Sequence, residues 1–245
     1  FKPAVGFIPR RGFRRLQPST TWAPRPRRWP SVRQLEFGVF YEHLLDLDNV
    51  LQTRRLNLTL LQVRCQSGDH FSIRANDTFE QLDESFEIHD GVVIPVGDHT
   101  FTEVRVDARS ASRRKVSGSF GFSKGESWSG NRTGIDAGLT VRPHQGVTAS
   151  ASWGRDTVDL PHGAFTTDLV LVAGSWHVSP WTSFSGTTQY DTVTKVAGLF
   201  TRLRWILRPG SDFFFVCTQN WRYDETRFFT LSRGATTKIN YTHRF

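Results

Sequence analysis

The feature that most limits what this chain can become is a two-residue rhythm that returns along nearly its whole length. Leu199, Leu203, Trp205 and Leu207 oppose Arg202, Arg204 and Arg208. Ile135, Ala137, Leu139 and Val141 alternate with Asp136, Gly138, Thr140 and Arg142, and Thr102, Val104, Val106 and Ala108 with Glu103, Arg105, Asp107 and Arg109. Successive side chains of a strand point to opposite sides, so this rhythm reads as strands with one apolar and one polar face, and argues against helices. Several arginines on one strand face do not belong in a dry core, because an unpaired buried charge is costly. They fit a hydrated surface. No run approaches the roughly 18–20 apolar residues of a membrane helix. If the chain enters a membrane, it does so as strands, whose two faces cancel in any hydropathy average.

The last ten residues carry the rhythm to the chain end. Thr237, Ile239, Tyr241, His243 and Phe245 fall on one face, and Thr236, Lys238, Asn240, Thr242 and Arg244 on the other. An amphipathic strand ending in an aromatic is the expected closing strand of an outer-membrane β-barrel, with one face on lipid and one on a wet lumen. It resembles the signal by which the barrel-assembly machinery takes up its clients. His243 departs from the apolar residue expected on the lipid side.

In order, strands are expected at about 14–23, 35–41, 56–60, 71–76, 102–108 and 116–122. Six more follow within 135–141, 147–153, 165–176, 181–191, 199–207 and 213–220, and the last ends the chain, so about thirteen are expected. Tight turns are expected at Gln66–Asp69, Arg142–Gly146, His177–Pro180 and Arg208–Asp212, where Gly, Pro, Ser and Asp gather. Long loops are expected at 123–133, 154–163 and 221–234. The acidic segment Asp77–Asp98 reads as one more long loop, with room for a short helix. Short and long connections would then alternate, as periplasmic turns and outer loops do. An odd strand count conflicts with the even number usual in bacterial barrels, and the start at Phe1 favours further strands upstream.

Charge and chemistry add limits. A net charge of +8 suits either an acidic partner or an arginine-lined lumen with basic turns, and no nucleic-acid motif accompanies it. Cys65 and Cys217 match no zinc-ligand spacing and read as free thiols. His144, and His162 near Asp159, lack a nucleophile-elbow context and read as solvated turn residues. Glu80, Asp83 and Glu84 lack the spacing of a calcium loop. Trp128, Trp153, Trp176, Trp181, Trp205 and Trp221 lie near expected strand ends, as in interfacial girdles.

Several motifs resemble a family of large Gram-negative outer-membrane proteins of uncharacterised function, in which a barrel follows a domain similar to carbohydrate-binding module family 9. The matching stretches are Pro3-Ala4-Val5-Gly6-Phe7-Ile8-Pro9-Arg10, Glu80-Gln81-Leu82 with Phe86-Glu87-Ile88, and Ile94-Pro95-Val96-Gly97. They continue with Gln189-Tyr190-Asp191, Leu203-Arg204-Trp205, Arg208-Pro209-Gly210-Ser211-Asp212 and the terminal Phe245. Cys217 stands where such a strand would carry tyrosine. The resemblance implies the C-terminal part of such a barrel and a link to carbohydrate.

The expectation is therefore an all-β, antiparallel transmembrane barrel section in the outer membrane, spanning residues 1–245. It would pass or bind a solute, without catalysis or cofactor. Arg105, Arg142, Arg202, Arg204 and Arg244 would line the lumen and favour anionic solutes, with carbohydrate as the other solute class. Its partners would be outer-membrane lipid and, through the strand ending at Phe245, the assembly machinery. The rival readings are a barrel-borne hydrolase acting on glycan or lipid, and a soluble β-sandwich binding module.

Overall fold

The structure, a computed structural model, describes residues 12–89, 91–161 and 163–242. The described residues form sixteen strands and no helix. Fourteen lie in one antiparallel sheet: β1 (Phe13–Leu16), β2 (Ser19–Trp22), β3 (Val32–Asp46), β4 (Leu51–Cys65), β5 (His70–Leu82), β8 (Gly97–Arg109), β9 (Val116–Ser127), β10 (Gly130–Val141), β11 (Val147–Leu160), β12 (Gly163–His177), β13 (Thr182–Asp191), β14 (Val196–Arg208), β15 (Ser211–Tyr223) and β16 (Phe228–Asn240). The other two, β6 (Phe86–His89) and β7 (Val92–Ile94), form a separate hairpin.

Neighbours in the sheet are neighbours in sequence, apart from the hairpin inserted between β5 and β8. β1 and β2 both pair with β3, and their registers are one: Leu16 sits opposite His43 and Ser19 opposite Phe40. Pro18 between them has no N–H to give the ladder, although its carbonyl accepts from Tyr41 N at 3.0 Å. The expected strand over 14–23 is thus one lane broken by a proline, as an edge strand tolerates. Counted as lanes, the sheet has the thirteen expected. Its order runs from β1/β2 to β16, and no ladder joins those edges among the described residues.

The turns form where the sequence supplies their chemistry. Gly68 takes φ 90° between β4 and β5. Asp224 Oδ1 accepts from the amides of Thr226 and Arg227 at 3.2 and 3.0 Å, and Ser179 Oγ from the amides of Trp181 and Thr182 at 3.1 and 3.0 Å.

The loop expectations are corrected. Residues 123–133 complete β9 and begin β10 around the two-residue turn Trp128–Ser129. Residues 154–163 complete β11 and begin β12, and 221–234 hold the end of β15, a four-residue turn and half of β16. The 77–98 segment contains the end of β5 and the β6–β7 hairpin, with no helix. Apart from 23–31 and the hairpin-bearing 83–96, connections run two to six residues at both ends of the strands, and the sorting of loops by length disappears. Over 123–127 both strand faces are polar or glycine, so the alternation fades there while the backbone ladder continues.

The chain forms two units. One holds Phe1–Ala108, Gly121–Gly134 and Thr157–Phe165; the other holds Arg109–Phe120, Ile135–Asp156 and Thr166–Phe245. In the first unit a small apolar core gathers Val92, Ile94, Val158 and Leu160, with Leu82, Ile88, Trp128 and Phe165 against it. Gly130 lets β10 start against β11: a Cβ there would stand 2.0 Å from the Asp159 carbonyl oxygen.

Candidate functional site: the polar face of the sheet

Cross-strand registers sort the side chains into two faces. In the first unit, Arg15, Gln17, Glu42, Arg55 and Glu80 stand on one face of adjacent strands. Glu42 is only 4% exposed. It accepts from Arg15 Nε at 2.6 Å and Gln17 Nε2 at 3.1 Å, and Arg55 lies 3.5 Å away on its other side and 3.6 Å from Glu80. On the same face, Asp107, also 4% exposed, accepts from Arg74 at 2.5 Å and Arg105 at 3.0 Å. Arg132 pairs with Glu103 at 3.4 Å beside a polar cleft of about 150 Å³ that also touches Asn76, Thr78 and Glu126. Desolvated charges of this kind persist because each has an opposite partner on a neighbouring strand.

The opposite face of this unit carries exposed apolar side chains, with the Arg54–Asp77 pair at 3.4 Å also on it. Trp22, Val39, Leu60 and Val104 are exposed, and Trp22 stacks on Phe37 with centroids 5.4 Å apart. Along β8 the pattern is inverted from that of a soluble protein: Val104 is exposed while Glu103, Arg105 and Asp107 are shielded.

The second unit repeats the inversion with different polar chemistry. Its polar face presents rows such as Thr187, Phe200, Thr218 and Gly234, or Gln189, Gly198, Asn220 and Ser232. A cleft of about 400 Å³ opens over them, with Asp191 at its rim. Asn220 Nδ2 donates to Ser232 Oγ at 2.9 Å. A second cleft, about 230 Å³, is lined by Ser117, Ser119, Ser150 and Ser152 around Gly138. Hydroxyls and carboxamides dominate here, whereas ion pairs dominate in the first unit.

The apolar face of the second unit carries two aromatic rows. One row holds Trp176, Phe184, Trp205 and Phe213: Trp176 sits opposite Phe184, and Trp205 opposite Phe213. The other holds Tyr190, Trp221, Tyr223 and Phe228, where Phe228 lies 6.3 Å from Tyr190 and 5.1 Å from Tyr223, ring to ring. Trp205 and Ala197, the partner of Trp221, are eight residues apart on β14, about 27 Å of strand. Between the rows the face is Leu199, Thr201, Leu203, Phe215, Cys217, Ala235 and Thr237. Gln219 and Arg233 interrupt it one pair inside the Trp221 row.

The five arginines singled out in the sequence do not form one site. Arg105 serves Asp107. Arg142 lies in the connection after β10, with Nη1 3.4 Å from Ser117 Oγ and from the Arg114 carbonyl. Arg204 pairs with Asp212 at 3.2 Å and lies 5.5 Å from the Phe214 ring centroid. Arg202 is exposed on the polar face of β14, and Arg244 lies outside the described residues. What the sequence reading missed was the cross-strand partners: Asp212 on β15 meets Arg204 on β14, and Asp107 on β8 meets Arg74 on β5 as well as Arg105 on its own strand.

No constellation for catalysis is assembled among the described residues. His144 Nδ1 lies 2.9 Å from the Gln145 carbonyl, and His162 lies outside the described residues. No group of three or more His, Cys, Asp or Glu suited to a metal occurs among the described residues, and Cys65 and Cys217 are both free. Trp128 departs from the girdle expectation: it belongs to the small core under the β6–β7 hairpin. No family model, curated protein or solved structure matches the chain.

Proposed function

We propose that the chain is a section of an outer-membrane β-barrel whose polar face forms the wall of a solute pathway, without catalysis of its own. The observation that carries this reading is the inverted burial, in which Glu42 and Asp107 are shielded while Trp205 is 50% and Ile239 67% exposed. Left in water, Trp176, Phe184, Trp205, Phe215 and Ile239 alone would forgo on the order of 5 kcal/mol of burial. That is comparable with the whole stability of a typical domain, about 5–15 kcal/mol. In hydrocarbon the same face is satisfied. The spacing of the aromatic rows suits an apolar band about 25 Å tall bounded by aromatic girdles, once strands are tilted.

The large sheet is accompanied only by the β6–β7 hairpin among the described residues, and that hairpin lies on the polar face. A sandwich would need a layer against the apolar face. In lipid every edge must be paired, so β16 and the β1/β2 lane require neighbours there. The described residues give thirteen lanes, an odd number where bacterial barrels are usually even. The family resemblance supports the same placement. It also supports carbohydrate as a solute class, to which the hydroxyl- and carboxamide-lined cleft of the second unit is suited.

The test is the full chain folded into detergent and then into lipid vesicles. Heat-modifiable migration on a gel, with tryptophan fluorescence quenched by brominated acyl chains, is the expected result. A chain that stays monomeric in buffer without detergent and shows no such quenching would end the reading.

A further inference from the structure

Among the described residues of the first unit, the β6–β7 hairpin is the one piece of protein laid over the polar face. Three facts place it there. Its Val92 and Ile94, 6% and 1% exposed, pack with Val158 and Leu160. Phe86 meets the Trp128 ring at 5.2 Å, and His99 and Phe101, on the same side of β8 as Asp107, each meet that ring at 5.4 Å. His89 stacks on Phe165 at 4.5 Å, and His99 Nε2 donates to the Pro95 carbonyl at 3.0 Å. An apolar seat on a polar wall serves no purpose for lipid contact. It holds the hairpin against the wall of the pathway.

The segment that holds the hairpin also carries a charge unlike the rest of the chain. Residues 83–98 include Asp83, Glu84, Glu87, Asp90 and Asp98 and no Lys or Arg, in a protein of net charge +8. Asp83, Glu84 and Glu87 are exposed. The arginines of the wall beneath are met by Glu42, Asp107 and Glu103, so they contribute little net positive field. A carboxylate edge in a water-filled passage raises the local concentration of cations and repels anions.

We infer that this hairpin is the constriction of the pathway, and that Asp83, Glu84 and Glu87 make it prefer cations. The inference rests on the barrel reading and reverses the anion preference that the arginines alone suggest. It is tested in planar bilayers with the full chain, under a potassium chloride gradient. The triple variant Asp83→Asn, Glu84→Gln, Glu87→Gln should lower the potassium-to-chloride permeability ratio at least threefold. Ile94→Asp, which unseats the hairpin, should raise single-channel conductance at least twofold, and so should replacement of residues 84–95 by a short Gly-Ser linker. Folding of each variant is checked by heat-modifiable migration. Channels whose selectivity and conductance are unchanged in all three variants would overturn the inference and leave the barrel reading standing. Folded, lipid-quenched protein that conducts in no variant would overturn it too. Loss of heat-modifiable migration and lipid quenching in the unaltered chain would instead sink the barrel itself.

Discussion

The imidazole of His89 lies nearly parallel to the ring of Phe165, with centroids 4.5 Å apart and 17° between planes. One residue closes the β6 strand and the other sits at the start of β12, so this contact fastens the inserted hairpin across the sheet. Trp128 fastens it from a second side, and does so from a left-handed backbone, φ 56°, which a bulky residue rarely takes. Such a conformation is kept only where surrounding contacts hold it, and here Phe86, His99 and Phe101 surround the ring.

Trp128→Ala should therefore loosen the hairpin and leave the sheet in place. The lost packing is worth roughly 3 kcal/mol, the low end of the range for removing a large aromatic. Hydrogen exchange should accelerate over residues 86–94 and stay unchanged over β13–β15. Equal acceleration in both regions would mean the hairpin and the sheet open together.

The two faces should respond oppositely to charge. Thr201 lies midway between the aromatic rows on the apolar face, four residues from Trp205 and four from Ala197. Thr201→Arg should destabilise the folded chain in lipid by about 2–4 kcal/mol, the penalty for arginine at the midplane of a barrel. Thr218→Arg, on the polar face opposite Phe200, should change stability by less than about 1 kcal/mol. Urea titration in vesicles measures both. Similar losses at the two positions would contradict the assignment of faces.

Gly130→Ala tests a backbone requirement. The added methyl would meet the Asp159 carbonyl oxygen and Leu160 Cα at 2.0 and 2.8 Å. Neither atom is on a flexible side chain, so β10 and β11 must part locally. A loss of about 1–3 kcal/mol is expected, with faster exchange at the ends of both strands. An unchanged denaturation midpoint would show that the strands shift without penalty.

The pair Lys195–Glu225, at 2.9 Å, links the β13–β14 turn to the β15–β16 turn. Both residues hold left-handed backbones, φ 53° and 75°. The hydrogen bond from Lys195 lowers the Glu225 carboxyl below its ordinary range, and the same bond raises the Lys195 ammonium above its own. For Glu225 the stabilisation is complete above its unfolded value and is lost as pH falls through the lowered folded one. For Lys195 it is complete below its unfolded value and is lost as pH rises through the raised one. Both groups are exposed, so the effect is local and salt-screened. Proteolysis at residues 224–227 should quicken as pH drops below the ordinary glutamate range. Lys195→Ala should weaken that dependence and leave the part carried by Asp224, whose carboxyl is lowered by the Thr226 and Arg227 hydrogen bonds; a cleavage rate with the same pH profile in both proteins would refute it.

Much of the sheet could be read along the chain. The strand rhythm assigned Leu203 and Trp205 to one face and Arg202 and Arg204 to the other. Gly, Pro, Ser and Asp marked the tight turns, and the lane count came out right. These are local facts, because side-chain alternation and turn geometry depend on residues within a few positions of one another. Strand ends were illegible where both faces become polar, as over 123–127, since ladder hydrogen bonds join backbones whatever side chains they carry.

Pairing across the sheet lay beyond local reading. Asp107 answers Arg74 from 33 residues away, and Glu42 answers Arg15 from 27. Of the five arginines that suggested an open positive lumen, Arg105 and Arg204 turned out to be paired with carboxylates, and for Arg204 it is register that sets which charge it meets. The β6–β7 segment showed the same limit. Its acidic residues and short apolar runs looked like an outer loop, but Val158, Leu160 and Phe165 offered an apolar seat on the polar face. Burial of Ile94 there, made possible only by strands distant in sequence, decided where the hairpin lies.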